Sequence, residues 1–114
     1  MNEKILVNRR RSTRLTIAIP IFISGTNSSG EYFREKTHTL VVNKHGAKIA
    51  TSQAFAPNAE IVIENPAKGD VAKAKVVPSG ERLRLESAPA VAVELYEAQN
   101  IWGIQFPPED WGTR

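Results

Sequence analysis

Leu15-Thr16-Ile17-Ala18-Ile19-Pro20-Ile21-Phe22-Ile23 decides the fold class, because Leu15, Ile17, Ile19, Ile21 and Ile23 recur with period two and are mostly β-branched. Alternate side chains of an extended chain point to opposite faces, so this is strand spacing filled with residues that suit a pleated surface. Pro20 has no N–H to give to a ladder, which places it on an edge or at a bulge.

The same pattern continues outward from this stretch. Gly25-Thr26-Asn27-Ser28-Ser29-Gly30 reads as a polar turn, and residues 31–37 lead into Thr39-Leu40-Val41-Val42 as a second strand, broken by Asn43-Lys44-His45-Gly46. Residues 47–50 resume extended structure, and residues 54–58 read as a loop or short turn. Glu60-Ile61-Val62-Ile63-Glu64 alternates cleanly before Asn65-Pro66, and residues 71–77 alternate again before Pro78-Ser79-Gly80. Residues 90–95 and 101–106 supply two more strands, the last ended by Pro107-Pro108. The only windows compatible with a helix lie near Ala54 and at 94–100. Six or seven short strands separated by Gly and Pro turns predict an all-β chain, a small antiparallel barrel or sandwich.

A length of 114 residues holds one domain with one modest core, and 41% hydrophobic with 24% charged residues is an ordinary globular balance. With no cysteine, disulfides and thiolate metal sites are excluded, and the expected compartment is the cytoplasm. No apolar run approaches the roughly 20 residues of a membrane helix, so no membrane insertion is expected. Charge is uneven: residues 1–50 carry nine Lys/Arg against three Asp/Glu, and residues 51–114 carry six against nine. An anion is therefore steered toward the N-terminal half.

That half opens with Asn8-Arg9-Arg10-Arg11-Ser12-Thr13-Arg14, four guanidinium groups directly ahead of the first strand. Planar, permanently charged forks match phosphates and purine edges. Residues 1–14 offer few apolar anchors beyond Ile5, Leu6 and Val7 and read as a flexible basic arm, with the barrel over 15–114. DNA or RNA is not the expected partner, since the later basic residues are scattered among acids and no aromatic stripe accompanies them for bases to stack on. Catalysis is not expected either. His38 and His45 are the only imidazoles, no nucleophile or phosphate-loop pattern occurs, and Glu94 and Glu97 read as solvated carboxylates. His45 reads as a turn residue, and Gly46 beside it as a glycine meeting a positive φ. Trp102 and Trp111 read as a barrel plug and a terminus anchor.

Three pieces of the chain together resemble the PilZ family of small β-barrel receptors for the bacterial second messenger cyclic di-GMP. Arg9-Arg10-Arg11-Ser12-Thr13-Arg14 is similar to that family's Arg-Arg-x-x-x-Arg arm. Beginning 27 residues beyond Arg14, Val41-Val42-Asn43-Lys44-His45-Gly46 falls on its (Asp/Asn)-x-Ser-x-x-Gly turn, and Gly103-Ile104-Gln105-Phe106 on its Gly-x-x-Phe strand. The second motif departs from the pattern: Val41 replaces Asp or Asn and carries no hydrogen-bonding group, and Asn43 replaces Ser with an amide offering both donor and acceptor.

The resemblance implies a PilZ-like barrel that binds cyclic di-GMP through Arg9, Arg10, Arg14, Asn43 and Gly46, with no metal and no further cofactor. It also implies a switch in which the ligand orders the arm and changes binding to a protein partner, an unidentified one; since the chain carries no output domain, that partner is expected to be a separate molecule. The alternative from another class is a divergent PilZ domain without ligand, an adaptor that docks through the segment Phe106-Pro107-Pro108-Glu109-Asp110-Trp111.

Overall fold

The computed structural model describes residues 13–77, 89–105 and 107–111. Seven strands follow one another: β1 (Leu15–Thr16), β2 (Pro20–Thr26), β3 (Tyr32–Val42), β4 (Gly46–Ala50), β5 (Glu60–Asn65), β6 (Asp70–Val77) and β7 (Ala90–Leu95). All neighbours are antiparallel in the order β1-β3-β2-β5-β6-β7-β4, and β4 returns to pair with β3. Six strands thus close into a barrel, with β1 an extra strand beside β3. Closure removes the unpaired edges that an open sheet of this size would expose.

Alternation supplies the core. Ile21 and Ile23 of β2, Ile61 and Ile63 of β5, Ile49 of β4 and Val42 of β3 are fully buried, and each buried Ile contributes about 1.5–3 kcal/mol relative to exposure. Trp102 and Trp111, each 2% exposed, join this cluster from the C-terminal segment, in the plugging and anchoring positions expected of them.

The stretch 15–23 is not one continuous strand. Thr16 faces Val41 and Pro20 faces His38, so Ile17, Ala18 and Ile19 oppose only Thr39 and Leu40. This one-residue excess is a β-bulge, and it ends at Pro20, as a residue with no N–H favours. The hydroxyl of Thr39, a fully buried residue, takes over the missing ladder bonds: it donates to the Ile17 carbonyl at 2.7 Å and accepts from the Ile19 N–H at 2.9 Å. The bulge also breaks the shared face, leaving Ile17 40% exposed while Ile21 and Ile23 are in the core.

Other expectations are corrected. β2 runs through Gly25 and Thr26, so the turn begins at Asn27, whose Oδ1 accepts from the N–H groups of Ser29 and Glu31. Residues 101–105 form no strand, and Phe106 lies outside the described residues. The barrel is already closed without them. Instead the Asn100 side chain brackets a turn, donating to the Ile104 carbonyl and accepting from the Ile104 N–H, with Gly103 at φ 75°. This turn sets Ile101 and Trp102 into the core. Residues 54–58 form a loop and turn as expected, 94–100 are not helical, and the described helical structure is a 3-10 turn at Glu109–Trp111.

Candidate functional site

A cleft of about 400 Å³ lies across β3, β4, β7 and the end of β6, beside the residue that precedes β1, and is lined among others by Arg14, Val41, Asn43, Gly46, Lys48 and Glu94. Three of the five residues expected to hold a ligand are therefore brought together, although 29 positions separate Arg14 from Asn43. Arg9 and Arg10 lie outside the described residues.

Arg14 is exposed, and its backbone is fixed from both sides. On one side Leu15 and Thr16 pair with Val42 and Val41. On the other, Thr13 is tied to the C-terminal 3-10 turn: its N–H and hydroxyl donate to Asp110 at 3.1 and 2.7 Å, and its carbonyl accepts from the Trp111 indole at 2.8 Å.

The turn Asn43-Lys44-His45-Gly46 owes its shape to Asn43. Its Oδ1 accepts from the N–H groups of His45 and Gly46, both at 2.8 Å, and its own N–H donates to the Gly46 carbonyl at 2.9 Å. This is the local bonding by which an Asx side chain imitates a backbone turn. The turn is then tied to the body of the protein. Trp102 Nε1 donates to the Asn43 carbonyl, the Gln99 N–H to that of Lys44, and the Leu95 N–H to that of His45. The expectation that Asn43 offers an acceptor to a ligand is thereby corrected: both turn amides take that oxygen. What it retains toward the cleft is the Nδ2 donor pair, which makes no hydrogen bond among the described residues.

Gly46 has a different reason from the positive φ expected of it, because its φ is not in the left-handed region. A β-carbon there would lie 2.2 Å from the Val93 carbonyl oxygen. Glycine is required where β4 crosses close to β7, a contact within the protein itself.

Val41, half-buried, and Ala92 give the cleft an apolar floor, while Arg14 and Lys48 make its rim cationic. Lys48 faces Val41 across the β3–β4 ladder, and Glu94 faces Gly46 across the β4–β7 ladder. Glu94 was expected to be solvated; it is half-buried and adds one carboxylate to the lining. Lys48 was legible in principle, two residues beyond Gly46 on the same face of an extended chain. Glu94 had no comparable signal, since only the β4–β7 register brings it here. His45 lines the cleft, whereas His38 is exposed opposite Pro20 at the far side of the bulge.

An apolar floor with fixed donors and a cationic rim suits a flat ligand that also carries negative charge. Among the described residues, no group of three His, Cys, Asp or Glu side chains is placed to hold a metal ion, and no helix is long and apolar enough to cross a membrane. No family model, no curated protein and no solved structure matches the chain.

Proposed function

We propose that the protein is a PilZ-type receptor for cyclic di-GMP that signals to a partner protein through its N-terminal arm. The observation that carries this reading is the meeting of Arg14, the Asn43 turn and Gly46 on one cleft of a small β-barrel, in the order that the resemblance to that family implies.

The chemistry supports it from several sides. The Arg14 fork pairs with a phosphate oxygen pair or with guanine O6 and N7, and Lys48 adds a point charge for phosphate. The two Nδ2 hydrogens of Asn43 donate to a phosphate or a guanine acceptor, and the Val41 and Ala92 floor accepts a purine face. Val41 supplies no hydrogen bond, which costs on the order of 1 kcal/mol against the roughly 1.5–3 that a charge-assisted Arg contact contributes, so the balance favours retained binding. Signalling follows from the arm: a ligand that engages Arg14 together with Arg9 and Arg10 stabilises one arm placement, and a partner that distinguishes placements reads occupancy. The adaptor alternative has less support, because Trp111, the aromatic of its docking segment, is buried and hydrogen-bonded.

The test is calorimetric titration of the protein with cyclic di-GMP, in parallel with cyclic di-AMP and a mixed single-stranded oligonucleotide. Saturable heat with cyclic di-GMP, and weaker or no heat with the other two, is the expected result. Silence with all three leaves the ligand-independent adaptor as the better reading.

A further inference from the structure

All three polar groups of Thr13 are taken by two adjacent residues 97 and 98 positions away. The Thr13 N–H donates to Asp110 Oδ1 at 3.1 Å, its hydroxyl to Asp110 Oδ2 at 2.7 Å, and its carbonyl accepts from Trp111 Nε1 at 2.8 Å. A bidentate carboxylate on one residue, combined with an indole on the same backbone unit, fixes both position and direction of the chain. The holder is itself fixed, since Trp111 is 2% exposed within the core cluster and its N–H bonds to the Pro108 carbonyl at 3.0 Å. The residue held is the immediate neighbour of Arg14, whose other neighbour pairs with Val42.

We propose that Asp110 and Trp111 are positioning residues for Arg14, a C-terminal clasp that sets the guanidinium at the cleft before ligand arrives. The inference rests on the nucleotide-receptor reading above. An Arg on a loose chain must lose backbone freedom when it binds, whereas an Arg clamped on both sides has only its own rotamers to fix. Among the described residues, releasing the clasp leaves Arg14 attached through β1, a strand of two residues. Ordering one further residue on binding then weakens affinity about tenfold. Because the clasp joins the C-terminal turn to the base of the arm, it also couples the stability of that turn to occupancy of the cleft.

The test is a titration with cyclic di-GMP of the full chain and of Thr13→Val, Asp110→Ala, Asp110→Asn, Trp111→Phe, Arg14→Ala and the double variant Asp110→Ala/Arg14→Ala. Trp111→Phe keeps ring packing and removes only the indole donor, which avoids the folding failure that Trp111→Ala invites. A thermal melt without ligand accompanies each. The expected result is about tenfold weaker binding in Asp110→Ala, smaller losses in Thr13→Val, Trp111→Phe and Asp110→Asn, and a double variant no weaker than Arg14→Ala alone. That non-additivity is the signature of acting through Arg14, and a merely structural role does not produce it. Parent-like binding in Thr13→Val and Asp110→Ala, or losses from Asp110→Ala and Arg14→Ala that simply add, overturns the positioning role while the receptor reading stands. If the parent itself binds no cyclic di-GMP, the receptor reading falls first and the positioning role with it.

Discussion

Trp102 Nε1 donates to the carbonyl oxygen of Asn43 across 2.8 Å, joining a ring buried in the core to the turn that shapes the cleft. Through this bond the C-terminal segment does on the β3–β4 side what Trp111 does at Thr13. Two indoles, each buried and each donating to a backbone carbonyl, secure the two chain segments that flank the candidate site. A buried Trp satisfies its N–H in this way, and the carbonyl it chooses gains a fixed position.

Trp102→Phe therefore removes one hydrogen bond and leaves the part-buried Asn43 carbonyl without its indole donor. The expected loss is about 1–3 kcal/mol of stability. Denaturant unfolding of parent and variant measures it, and an unchanged midpoint would show that solvent replaces the indole without cost.

Gly46→Ala meets backbone rather than a flexible side chain, with the new carbon 2.2 Å from the Val93 carbonyl oxygen. β4 and β7 must separate, so the variant is expected to lose more than about 2 kcal/mol or to fail to fold. Gly30→Ala is the control. Its β-carbon meets open space, and only its positive φ of 84° is strained, an expected cost of about 1 kcal/mol. A smaller fall in melting temperature for Gly46→Ala than for Gly30→Ala would contradict this account.

Asn43 has two separable jobs. Asn43→Asp keeps an oxygen for the His45 and Gly46 amides and is expected to melt near the parent, whereas Asn43→Ala loses both bonds and about 1–2 kcal/mol. Both variants lack the Nδ2 donors and should weaken cyclic di-GMP binding. If Asn43→Asp binds as tightly as the parent, Asn43 serves the turn alone.

Arg14→Ala should lower affinity for cyclic di-GMP by at least about tenfold, since a charge-assisted contact contributes roughly 1.5–3 kcal/mol. It should also exceed the loss in Asn43→Ala. The guanidinium is exposed, so the melting temperature should stay within a few degrees of the parent. Arg14→Lys should rescue in part, keeping phosphate attraction and losing the planar fork. Titrations paired with melts check all three statements, and parent-like binding by Arg14→Ala would remove this residue from the site.

The all-β character is legible in the chain alone, because period-two apolar runs such as Ile61 and Ile63 bury their faces only in extended structure, and Asn and Gly mark the turns between them. The cationic forks of Arg9, Arg10, Arg11 and Arg14 are likewise read directly from the chain. That 15–23 bulges at Ile17, Ala18 and Ile19 follows from long-range pairing, since the excess residue is defined against Thr39 and Leu40. Closure of β4 onto β3 likewise left no strand position for residues 101–105, whose apolar side chains became a plug. The cleft depends on partners as well as on the same long-range registers: Glu94 reaches it through β7, the Asn43 oxygen is taken by the His45 and Gly46 amides, and Thr13 is held from the opposite end of the chain. Period and turn chemistry act over a few residues and are legible in order along the chain, whereas pairing register and side-chain partners are set by which distant segments share one core.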